Sequence, residues 1–93
     1  MDLFYSISYD IRDDHRRFQV AKVLKDFGER VQLSVFEANL TPEQLEKLKK
    51  RVNKCIDQKE DSVRLYPLCA ACTSRIEILG QGMVTQDPEV IVI

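Results

Sequence analysis

The alternation at the start of the chain limits the possible fold more than any other feature. From Leu3 to Ile11 the side chains Leu3, Tyr5, Ile7, Tyr9 and Ile11 take the odd positions, and Phe4, Ser6, Ser8 and Asp10 take the even ones. Successive strand side chains point to opposite faces. The segment therefore predicts a strand with one face for a core, a second face that is small and semi-polar, and a carboxylate at its far end. Strand-to-loop junctions are common places to hold a metal or a reactive group. A plain turn or capping acid accounts for Asp10 equally well at this point.

The pattern then changes period. Asp13 and Asp14 can each cap a helix, and Val20, Val23, Leu24 and Phe27 follow at helical spacing, with Gly28 past the end. Residues 30–38 alternate again and read as one second strand, with Val31, Leu33 and Val35 inward and Arg30, Gln32, Ser34 and Phe36 outward. Thr41-Pro42-Glu43-Gln44 is a capping box with proline at the first helical position, and Leu40 and Leu45 are spaced as a hydrophobic staple. Leu45, Leu48, Val52, Cys55 and Ile56 form the buried stripe of that second helix. Val63–Leu68 reads as a third strand, Arg75–Leu79 as a fourth, and Glu89–Ile93 as a short apolar strand.

Two helices of similar length cover only one face of a four-stranded sheet. The expected fold is α+β: one antiparallel four-stranded sheet with two helices on one face. The whole chain, residues 1–93, reads as one domain, with about 1–80 as core and 81–93 as a C-terminal extension. The other sheet face carries Phe4, Ser6, Ser8, Asp10, Gln32, Ser34 and Phe36, too apolar for bare surface and too polar for a core. This predicts a two-fold homodimer through the open face, with the C-terminal strand added to the partner's sheet.

Net charge is −1, so bulk charge announces no nucleic-acid binder, and no apolar run reaches the roughly 20 residues of a membrane span. The chain reads as cytoplasmic, with no leader segment. The cations are nevertheless clustered. Arg12, Arg16, Arg17, Lys22, Lys25 and Arg30 form one group, and Lys47, Lys49, Lys50, Arg51 and Lys54 another. They are either solvated helix faces or ridges that follow phosphates. The three cysteines do not make a disulfide framework. Cys69-Ala70-Ala71-Cys72 reads as a structural element in a strand-to-strand loop, without the second pair that a zinc site needs.

In a two-fold dimer, Asp10 near the axis would present two carboxylates across a gap. That suits Mg²⁺, which takes one or two carboxylates and keeps several waters. A resemblance makes this specific. Tyr9-Asp10-Ile11, Asp13-Asp14-His15-Arg16-Arg17, the run from Gly28 to Glu37, Val63–Cys69 and Arg75–Gly80 together resemble the CRISPR-associated protein 2 family, the small partner of the spacer-acquisition integrase.

The resemblance implies a ferredoxin-like fold and a homodimer with Asp10 of both subunits as catalytic acid and Mg²⁺ ligand, with Mn²⁺ as a substitute. It points to Tyr9, Arg17, Arg30 and Phe36 as supporting positions of the cleft. Gln19 departs from members that carry a basic residue there. The family's activity is metal-dependent endonuclease, on single-stranded RNA in some members and duplex DNA in others. It also implies a central dimer that binds the integrase subunit through the C-terminal segment. In that role Arg12, Arg16, Arg17, Lys47, Lys50, Arg51 and Lys54 would hold nucleic-acid backbone. A non-catalytic DNA scaffold and a toxin-type messenger-RNA interferase of the same fold are the alternatives.

Overall fold

A computed structural model of the chain describes residues 2–85. Its elements run β1 (Leu3–Asp10), α1 (Asp14–Lys25), β2 (Glu29–Gln32), β3 (Val35–Leu40), α2 (Pro42–Cys55), β4 (Ser62–Leu68) and the short α3 (Ala70–Thr73). The sheet order is β2-β3-β1-β4, and every neighbouring pair is antiparallel. α1 crosses between β1 and β2, and α2 between β3 and β4, each passing one intervening strand. This is the split β-α-β arrangement of the ferredoxin-like fold.

The helix-covered face holds the core. Ile7, Val20, Leu24, Phe36, Leu40 and Leu48 are essentially inaccessible, and Tyr5, Tyr9, Ile11, Val23, Ala38 and Val52 complete the cluster. Each Val, Leu, Ile or Phe among them contributes about 1.5–3 kcal/mol by leaving water. A single cap is worth about 1 kcal/mol, so the stripe places the helices and the caps set their ends. Those caps are the expected ones. The Asp13 carboxylate accepts from the Arg16 amide, and Thr41 and Gln44 close a reciprocal capping box.

Three expectations are overturned. Residues 29–40 form a hairpin, β2 and β3, rather than one strand. Leu33 sits at its turn, 87% exposed, and the alternation that faces the core is Phe36, Ala38, Leu40. Phe36 is therefore a core residue opposite Ile7, not an open-face one. The turn was hidden because Leu33-Ser34 carries no Asn-Gly or Asp-Gly signal, and no non-glycine residue among those described has positive φ.

The second correction concerns Arg75–Leu79, which form no strand. The hairpin already supplies the fourth strand, and Leu79 is 95% exposed. The third concerns Cys69 and Cys72. They do not lie in a strand-to-strand loop: Cys69 is the N-cap of α3, directly after β4. The expected strand at 89–93 lies outside the described residues.

Gly28 does not end α1 through left-handed backbone, since its φ is not positive. Its role is close approach. A Cβ there would lie 2.2 Å from the Glu37 carbonyl oxygen and 2.7 Å from the Ala38 Cβ. Glycine lets the chain turn from α1 into β2 tight against β3.

The open face of β1 carries Phe4, Ser6, Ser8 and Asp10, as the alternation predicts. Beside them lie Arg64 and Tyr66 of β4 and Glu37 of β3. Part of this face is covered by the chain itself. Phe4 is 4% exposed near α3 and Val84–Thr85. The Thr85 amide and hydroxyl both donate to Glu37 Oε1, at 3.1 and 2.9 Å.

Candidate functional site

Asp10 ends β1, paired in register with Ser62 of β4, and is exposed. It lines a cleft of about 940 Å³ between α1 and the β2–β3 turn. Buried Tyr9, Ile11 and Phe36 make an apolar floor, and exposed Phe18 and Leu33 stand at the rim. The charged lining is Asp10 and Asp14 against Arg17, Lys22, Lys25 and Arg30. Four cations against two acids, over a low-dielectric floor, suit a polyanion.

Two arginines hold the backbone around Asp10. Arg17 Nη1 donates to the carbonyls of Ile11 and Arg12, at 3.0 and 3.2 Å, and Arg17 also pairs with Asp14. The loop that leaves the strand immediately after Asp10 is thereby tied to α1. Arg16 Nε donates to Asp61 Oδ2 at 2.7 Å, with Glu60 also in reach. The Asp61 side chain has no solvent exposure and also accepts from the Asp57 amide. The Arg16 hydrogen bond and that amide hold the Asp61 carboxyl below its usual range, and Asp61 in turn raises Arg16. This clamp sits next to Ser62, the register partner of Asp10.

Tyr9 is oriented away from Asp10, because adjacent strand residues face opposite sides. Its phenol is buried in a relay. Arg30 Nη2 donates to Tyr9 Oη at 3.0 Å, and Tyr9 Oη donates to the Leu33 carbonyl at 3.2 Å. The Tyr9 amide also donates to the Ser34 carbonyl at 3.1 Å. The Arg30 guanidinium lies 5.4 Å from the Phe36 ring centroid, and the Tyr9 and Phe36 centroids are 6.3 Å apart. Tyr9, Arg30 and Phe36 thus pin the hairpin turn to the end of β1. Their geometry is that of positioning residues.

All five residues Tyr9, Asp10, Arg17, Arg30 and Phe36 line the one cleft. The expected backbone-binding cations divide differently. Arg12 is exposed. Arg16 is occupied by Asp61, and Arg17 by Asp14 and two carbonyls. Arg51 donates to Asp26 at 2.8 Å and stacks on Phe27. Lys47, Lys50 and Lys54 are exposed at spacings of three and four along α2, opposite its stripe of Leu48 and Val52.

Asp14, Phe18 and Ala21 also line the cleft, although the alternation and capping signals do not mark them as site residues. Their i, i+4, i+7 spacing, off the Val20–Val23–Leu24 stripe, was the available signal. Asp61 carried no signal, because its partner is 45 residues away.

No group of three or more His, Cys, Asp or Glu side chains able to hold a metal exists among the described residues. Asp10 is a hard oxygen donor open to solvent, which fits Mg²⁺ or Mn²⁺ if a second carboxylate and waters complete the shell. No helix among the described residues is long and apolar enough to cross a membrane.

The fold and the site define a small ferredoxin-like α+β protein with a strand-end carboxylate beside a cationic cleft. The chain belongs to the CRISPR associated protein Cas2 family, whose model matches residues 1–76. It is 48% identical over 88 residues, 95% of each chain, to a CRISPR-associated endoribonuclease Cas2 of Chloroflexus aurantiacus. To a CRISPR-associated endonuclease Cas2 of Thermus thermophilus it is 43% identical, covering 92% of this chain and 91% of that one.

Among solved structures, it resembles the hypothetical protein TT1823 from Thermus thermophilus with a TM-score of 0.82 and 41% identity, over 92% of this chain and all of the other. A chain of a partial Cas6-RT-Cas1–Cas2 complex matches with a TM-score of 0.79 and 28% identity, over 98% and 99% of the two chains.

Proposed function

We propose that this chain is a metal-dependent endonuclease of CRISPR adaptation, acting as a homodimer in which Asp10 of each subunit contributes one carboxylate to a shared site. The observation that carries the reading is the exposed Asp10 at the end of β1, with its flanks tied down by Arg17 on one side and by the Arg16–Asp61 clamp on the other. Relatives named as nucleases, at up to 48% identity, support it. The substrate is single-stranded RNA, duplex DNA or both.

Mg²⁺, or Mn²⁺ in its place, would be held by Asp10 and would supply an activated water and charge neutralisation at a phosphodiester. The chain's own residues do the rest. Lys22, Lys25 and Arg30 attract the phosphate backbone without reading bases. Tyr9, Arg30 and Phe36 hold the β2–β3 turn in place at the end of β1. Arg17 fixes the direction in which the chain leaves it.

A second role uses a different surface. The exposed Lys47–Lys50–Lys54 ridge and the likeness to a chain of a Cas1–Cas2 complex favour a central DNA-holding dimer for the integrase subunit. The C-terminal segment is the expected docking element. The two roles are compatible.

The test is cleavage of RNA and of duplex DNA by purified wild type and Asp10→Ala, with Mg²⁺ and with excess chelator. The expected result is a loss of roughly 10²–10³-fold on at least one substrate, both in the variant and in chelator. Wild-type rates in Asp10→Ala would leave only the scaffold role.

A further inference from the structure

Cys69 and Cys72 stand outside everything described above. Cys69 follows the last residue of β4 and caps α3, and Cys72 lies in the single turn of that helix. Both are free and exposed. The Thr73 amide donates to the Cys69 carbonyl at 2.8 Å, so one closed turn holds Cys69 and Cys72, and residues three apart in such a turn have Cα atoms within the range that a disulfide spans. Cys55 is also free but differs in its surroundings. It is half-buried in the α2 stripe, and its thiol donates to the Arg51 carbonyl at 3.4 Å.

A metal is a poor occupant within one chain. Zinc takes four ligands, and no group of three candidate ligands exists among the described residues. What two adjacent exposed thiols can do alone is exchange with a disulfide. We infer that Cys69 and Cys72 form a reversible dithiol–disulfide couple that exchanges with low-molecular-weight disulfides such as oxidised glutathione.

Position in the turn assigns the roles. Cys69 makes no side-chain capping hydrogen bond of ordinary geometry. The nearby Cys72 amide and the Cys72 thiol nevertheless hold its pKa below the usual thiol range, while Cys69 pushes Cys72 up. Cys69, which stands first in the turn at the N-cap, is assigned as the attacking thiolate. Its sulfur displaces one glutathione thiolate, forming a mixed disulfide. Cys72 then gives up its proton and attacks the Cys69 sulfur, and the second glutathione leaves. Two protein thiols lose two electrons and two protons, and one small disulfide becomes two thiols.

The couple sits where it can be felt. α3 packs against β1 and β4 beside Phe4, and from its end the chain runs across the open sheet face to the Thr85–Glu37 contact. A cross-link through α3 stiffens the point at which that crossing segment leaves the sheet.

The experiment equilibrates the full chain in glutathione buffers of graded ratio, quenches in acid, alkylates under denaturing conditions and weighs the tryptic peptides. Cleavage after Arg64 and Arg75 isolates both cysteines on residues 65–75, apart from Cys55. The expected result is a 65–75 peptide lighter by two hydrogens, whose oxidised fraction follows oxidised glutathione over the square of reduced glutathione. Cys72→Ser should hold glutathione as a persistent adduct on Cys69. At pH 7, exposed Cys69 should alkylate faster than half-buried Cys55 in the native chain. A 65–75 peptide that stays fully alkylated in excess oxidised glutathione overturns the inference. So does a disulfide found only between chains, or a Cys69 no faster than Cys55.

Discussion

The two faces of one sheet obey different rules. On the helix side, β1 and β3 contribute Tyr5, Ile7, Phe36, Ala38 and Leu40 to a closed apolar cluster. On the other side the same strands show Ser6, Ser8, Asp10 and Glu37, partly covered by the returning chain. The first face determines that the chain folds, and the second is free to carry chemistry. Asp10 belongs to the second face but ends a strand whose neighbouring residues are locked into the first. That is how a small protein holds an exposed carboxylate still.

The contrast is easiest to break with large substitutions. Phe36→Ala empties a fully buried site and should cost about 3–5 kcal/mol, measured by denaturant unfolding. Ser6→Ala, on the open face of the adjacent strand, should change stability by under ~0.5 kcal/mol. Equal effects would mean that the two faces are not distinct.

Gly28→Ala comes next. Its Cβ meets a backbone oxygen that cannot swing aside, and overpacking of this kind costs about 1–3 kcal/mol. A neutral result would show that the α1–β2 corner has room it does not display. Tyr9→Phe should cost about 1 kcal/mol through its two hydrogen bonds and leave cleavage within a few-fold. A loss as deep as that of Asp10→Ala would move Tyr9 from positioning to contact with the substrate.

The smallest effect is a pH dependence. The Asp61 carboxyl has a lowered native pKa, so its pairing stabilises the fold above about pH 4, the ordinary carboxylate value. That stability is lost as pH falls through the lower native value. Asp61→Asn should therefore be less stable than wild type at neutral pH, with the gap closing on acidification. A gap that stays constant down to acid unfolding would show that the clamp acts through packing rather than charge.

Much of this contrast was legible in the sequence. The alternation of β1 gave its two faces and placed Asp10 correctly. The Thr41-Pro42-Glu43-Gln44 box and the Leu48–Val52 stripe gave α2, because local capping and helical period both act over a few residues. The β2–β3 turn was missed because an unmarked Leu33-Ser34 turn leaves the apolar alternation unbroken. Phe36 was assigned to the wrong face for the same reason. Arg16 and Arg51 read as free cations because their partners, Asp61 and Asp26, are brought near only by the tertiary fold. The family resemblance pointed to five of the cleft's residues, and the structure adds Asp14, Phe18 and Ala21 to its lining.

Asp10 is proposed as half of a metal site completed by a second copy of the chain. Equilibrium binding of Mn²⁺ to wild type and to Asp10→Ala, at protein concentrations where the dimer forms, tests this most directly. The account predicts one tightly bound ion per two chains in wild type and none at that affinity in the variant. A variant that keeps the wild-type stoichiometry and affinity would contradict it.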